Sequence, residues 1–126
     1  MGDDRYPGRL VLPLSFPGRR FRMWSYLPTH SELVLRTEFD PAAPHIELLF
    51  KPVHRIDLPV TMDGGLIIDV GDHPADDANT AMTFTVANDH FTGHVIADHL
   101  FLCEEHRSKY SAFSLFHGYL HSDFTR

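Results

Sequence analysis

The chain reads as an all-β protein, an antiparallel sandwich or small barrel of about six to nine strands. Three observations carry that expectation. Several runs alternate apolar and polar residues with period two, as in Arg19–Leu27, Glu32–Thr37 and His45–Lys51. Proline- and glycine-rich stretches separate these runs at short intervals. No long run of helical period lies between them, which argues against a parallel sheet built from βαβ units.

The elements follow in chain order. Residues 1–18 contain Pro7, Gly8, Pro13, Pro17 and Gly18, a spacing that forbids a helix and leaves an extended arm or an edge strand. In the next run Phe21, Met23, Ser25 and Leu27 share one face, and Arg20, Arg22, Trp24 and Tyr26 the other. Pro28 ends this strand, and Glu32–Thr37 returns as its hairpin partner. In His45–Lys51, Ile46, Leu48 and Phe50 face inward, while His45, Glu47 and Lys51 face outward with Leu49 as the exception. Pro52 interrupts before Val53–Leu58, so that either one bent strand or two strands meeting at a corner fit.

Met62-Asp63-Gly64-Gly65 carries the residues of a tight hairpin turn, which needs positive φ. Leu66–Val70 is then a short strand, and residues 71–79 form the longest and most acidic loop. Ala81–Asn88 and Gly93–Glu104 form the central hairpin. Both faces of its second strand are largely apolar, as in a strand covered on two sides. Beyond it, residues 108–121 fit a short C-terminal helix with Ser108 as N-cap, or a strand in which Phe113, Leu115, His117 and Tyr119 alternate.

The 126 residues make one domain, 43% hydrophobic and 22% charged, long enough to bury a core without staples. A net charge of −6 disfavours a phosphate backbone as partner, so nucleic acid is not expected. Cys103 is the single cysteine, which excludes an intramolecular disulfide. It stands among Phe101, Leu102 and Leu100, as a buried structural thiol does. No signal peptide, myristoylation pattern or run of roughly 20 apolar residues is present, so a membrane is not expected and the cytoplasm is the default.

No P-loop, dinucleotide fingerprint, serine elbow or HExxH sequence occurs, and no cofactor is expected. What needs explaining is a set of polar residues among apolar ones. Asp98 and His99 stand in the apolar run of the central hairpin, adjacent in sequence and directed to opposite faces by alternation. His54 shares a face with Ile56 and Leu58, where it could meet His99 across a cavity. A buried carboxylate needs a partner, so Asp98, His99 and His54 are the candidates for a pocket wall.

Ten histidines invite a metal. His90 and His94 flank the turn of the central hairpin, and His117 and His121 would share a face on a helix but lie about 13 Å apart on a strand. Asp69, Asp72, Asp76 and Asp77 offer oxygen ligands without the order of a calcium loop. These are weak metal candidates beside the plainer reading of solvated side chains.

Arg22, Trp24 and Tyr26 form an aromatic–arginine strip, the composition of a protein-contact surface. The leading expectation is therefore a small, soluble, acidic β-domain that binds a protein partner, of immunity or adaptor type. The alternative is a barrel-type enzyme or small-ligand binder with an interior pocket lined by Asp98, His99 and His54.

Overall fold

The computed structural model describes residues 10–38, 40, 42–71, 81–105 and 122–125. It is all-β, with nine strands in one antiparallel sheet and no helix among the described residues. The strands are β1 (Leu14–Pro17), β2 (Phe21–Leu27), β3 (Glu32–Thr37), β4 (His45–Asp57), β5 (Thr61–Met62), β6 (Gly65–Val70), β7 (Met82–Ala87), β8 (Thr92–Glu105) and β9 (Ser122–Thr125). Their order is β1-β6-β7-β8-β4-β3-β2-β5, with β9 paired to β8 beside this path. Residues 1–9 of the segment 1–18 expected as an arm or edge strand, the acidic residues 72–79 and the ambiguous stretch 108–121 lie outside the described residues, while β1 falls within that segment.

Two long strands hold the sheet together. β4 and β8 run side by side from His45 opposite Glu105 to Asp57 opposite His94. β7 pairs with the N-terminal half of β8, from Thr92 to Ala97, and β3 pairs with β4 between Glu47 and Phe50. β4 passes through Pro52 as one strand, and there its inward set changes parity. Ile46, Leu48 and Phe50 belong to the core before Pro52 and Val53 after it, and a β-bulge between Val53 and Arg55 then returns the inward set to Ile56. β8 does the same between Val95 and Ala97 on one side and Leu100 and Leu102 on the other. The two changes face each other, so the apolar surface stays continuous.

The other end of the sheet is a corner. Met62 to Gly65 is not a hairpin turn: β5 pairs with β2, while β6 pairs with β1 and β7. Gly64 and Gly65 do have the positive φ that the sequence demands, 90° and 93°. That conformation is used to turn the chain from one part of the sheet to another. Pro17 lies opposite Gly65 and Phe21 opposite Met62, so the β1–β2 and β5–β6 runs round the corner together. Gly65 N donates to Arg19 O at 2.9 Å across it. A Cβ on Gly65 would stand 2.8 Å from Phe16 O and 2.9 Å from Gly18 N, which only glycine avoids.

The folded sheet encloses one apolar cluster. Phe16 of β1 meets Phe21 of β2, and Phe50 of β4 meets Phe84 of β7 edge-on, each pair 5.4 Å between ring centroids. β4 and β7 are not neighbours in the sheet, so the second contact marks its curvature. Leu33, Leu35, Leu48, Met62, Ile68, Val86, Val95 and Leu100 fill the space between, essentially without solvent exposure. Each such side chain contributes roughly 1.5–3 kcal/mol of burial.

Candidate functional site

The aromatic–arginine strip lies on β2, but a β-bulge divides it. Arg22 is opposite Arg36 and Met23 opposite Leu35; past Trp24, Ser25 is opposite Val34 and Tyr26 opposite Leu33. Directly opposed residues of an antiparallel ladder share a face. The extra residue therefore leaves Arg22 on the Arg36 face and turns Tyr26 to the Leu33 face, in place of the single face that strict alternation implies. The three side chains wrap around the strand. Tyr26 is 41% exposed, and Leu27 beside it 48%.

Charge at the start of the strip is organised into a chain of ion pairs. Arg20 Nε lies 2.6 Å from Asp63 Oδ1 and Arg20 Nη1 3.2 Å from Glu38 Oε2, while Arg22 Nη2 lies 3.2 Å from Glu38 Oε1. These exposed pairs orient the arginines more than they stabilise the fold.

Behind Trp24 lies a cluster that strict alternation assigns to solvent. Arg36, His45 and Glu47 are buried, together with Val34, Leu49 and Cys103 outside the main core cluster. The expected outward direction of His45 and Glu47 is correct as to face, but that face is covered. Arg36 Nε donates to His45 Nε2 at 2.6 Å and approaches Glu47 Oε2 at 3.1 Å. A guanidinium only donates, so His45 Nε2 accepts and the ring proton sits on Nδ1. The Trp24 ring lies over the Arg36 guanidinium, 4.5 Å from centroid to carbon, a desolvated cation–π contact. Thr37 completes the local order: its hydroxyl accepts from Ile46 N at 3.0 Å. The sequence sign of this cluster was the broken pattern of Leu49 and the doubly apolar run at Cys103.

The structure brings two of the three pocket candidates together. His54 Nε2 and Asp98 Oδ1 are 2.9 Å apart. With the carboxylate accepting, Nε2–H donates and the ring is held in one orientation, as an acid–base imidazole would be. The pair lies outside the apolar cluster, with His54 49% and Asp98 20% exposed. His99 is not its partner. It lies opposite Lys51, with its ring 6.0 Å from that of Phe101. The change of parity between Ala97 and Leu100 places both Asp98 and His99 outside the core interior.

His90 is exposed in the β7–β8 turn, and His94 stands within β8 opposite Thr85 and Asp57. Among the described residues no three His, Cys, Asp or Glu side chains converge as a metal site. His117 and His121 lie outside the described residues, and so do Asp72, Asp76 and Asp77. No described helix is long and apolar enough to cross a membrane.

The class of protein defined here is an open, bent antiparallel β-sheet with a polar cluster buried behind an aromatic–arginine edge. No family model, no curated protein and no solved structure matches the chain.

Proposed function

We propose that this chain is a cytoplasmic protein-binding module of immunity or adaptor type, which holds an extended segment of a partner protein along β2. The observation that carries the reading is the uneven cover of that strand. Among the described residues β5 pairs only with Phe21 and Arg22, and the last backbone bond seen on that side is Met23 N to Val60 O at 2.8 Å. From Ser25 to Leu27 the outer edge meets no strand among the described residues. An open edge accepts a further strand through its main-chain groups, and its side chains supply selectivity. The bulge sets Arg22 and Trp24 on one side of that edge and Tyr26 on the other, where an added strand would touch both. Arg, Trp and Tyr are also the residues that most often anchor interfaces.

The test is a photo-crosslinking side chain placed at Leu27, with a control at the exposed Val11, in the full chain within its native host. The reading expects a defined adduct from position 27 only, mapped to one extended segment of the partner and lost in Tyr26→Ala. Equal adducts from both positions, or none from Leu27, overturn it.

A further inference from the structure

We infer that a cleft at one end of the sheet is a binding site for a small, neutral, amphipathic molecule: an aromatic ring bearing one hydroxyl. Pro59, Thr61, Met62, Asp63, His90 and Phe91 line a cavity of ≈ 390 Å³. That volume suits a small ligand, and the mouth of a barrel-like sheet is a usual place for one. Its floor is apolar. Its accessible apolar surface is exposed Pro59 and half-buried Phe91, which packs against the core, while Met62 is fully buried.

The walls come from two different turns, and one side chain fixes them to each other. Asn88 Nδ2 donates to Asp63 O at 2.7 Å and to Gly65 O at 2.9 Å, while Asn88 Oδ1 accepts from His90 N at 2.7 Å. Asn88 N also closes its own turn on Phe91 O at 3.0 Å. The His90 ring sits against bare backbone: a Cβ on Gly64 would be 3.5 Å from Cδ2 and Nε2. Such bracing lowers the ordering cost of binding.

Charge and hydrogen bonding select the ligand. The carboxylate at the rim, Asp63, is already held by Arg20 at 2.6 Å, so the cleft presents no uncompensated charge to a cation or an anion. His90 is exposed, its ring nitrogens have no protein partner among the described residues, and the residue lines the cleft together with Thr61. A ring packs against Phe91 and Pro59, and its single hydroxyl reaches the imidazole.

The experiment titrates the full chain with phenol, benzyl alcohol, benzoate and benzylamine, followed by two-dimensional NMR. Phenol and benzyl alcohol are expected to shift Thr61, His90 and Phe91 saturably, with contacts from the ring protons to Pro59 and the Phe91 ring. They should bind about fivefold more tightly than either charged probe, the worth of roughly one net hydrogen bond. His90→Ala, at an exposed position, should reduce the preference for the hydroxyl, and Phe91→Ala should abolish binding. Unsaturable shifts, equal response to all four probes, or phenol binding indifferent to both variants overturns the assignment. If Phe91→Ala does not fold, the Pro59 contacts and His90→Ala decide.

Discussion

Arg36 Nε is shared between His45 Nε2 at 2.6 Å and Glu47 Oε2 at 3.1 Å, in a place where neither the arginine nor the glutamate side chain is solvent-exposed. Taking two such charges from water is costly, and their mutual attraction only offsets that cost while both remain. Removing one partner leaves the other charge buried. Arg36→Met and Glu47→Leu should each cost about 3–5 kcal/mol, and the double variant should cost less than the sum of the two. Urea unfolding of the four proteins measures this. Additive losses would mean that the two residues act independently of each other.

The His54–Asp98 pair has the same chemical form and the opposite surroundings. Half of the His54 side chain is in water, where solvent and salt screen the attraction. A double-mutant cycle with His54→Ala and Asp98→Ala should give a coupling of about 0.2–1 kcal/mol, reduced in high salt. A coupling near that of Arg36 and Glu47 would show that the pair is more enclosed than its exposure indicates.

Glycines separate into those that space requires and those it does not. A Cβ on Gly93 would collide with Asp57 O and lie 2.7 Å from Leu58 Cδ2. The first contact is backbone in the paired β4 strand and cannot turn aside. Among the described residues a Cβ on Gly71 would meet only Thr83 O, at 3.7 Å. Gly93→Ala should cost at least about 2 kcal/mol, and Gly71→Ala no more than about 0.5. Thermal unfolding compares the two directly. Equal shifts in melting temperature would refute the steric account.

Much of this fold is legible in the sequence where side-chain alternation alone sets the pairing. The β2–β3 hairpin, the inward set Ile46, Leu48 and Phe50, and the β7–β8 hairpin all follow from period two and the turn residues between them. Three features do not. Asp63-Gly64-Gly65 specifies positive φ, but that conformation serves a corner as well as a hairpin, and only the partners of β5 and β6 distinguish them. The bulge at Trp24 adds one residue with no local marker, and every face assigned after it inverts. The change of parity on β8 is similarly silent, although Pro52 marks its counterpart on β4. The same limits govern the candidate residues. Alternation brings neither His54 to Asp98 nor Arg36 to Glu47, because each contact depends on the register between two strands, β4 with the distant β8 in the first case and consecutive β3 with β4 in the second.

Asn88 offers the sharpest local test. Its side chain makes three hydrogen bonds, two to backbone carbonyls near the β5–β6 corner and one from the amide of His90. Alanine removes all three and leaves those backbone groups near the surface, where water replaces part of what is lost, for a net cost of about 1–2 kcal/mol. The loss should be confined to one end of the molecule, because Ala87 opposite Thr92 and Val86 opposite Gly93 keep their strand pairing. In Asn88→Ala, amide exchange at His90 should therefore accelerate well beyond the change in global stability. The β8 amides from Val95 to Leu100 should follow global stability alone. If protection instead falls by the same factor throughout the sheet, Asn88 is part of the cooperative core and not a brace between two turns.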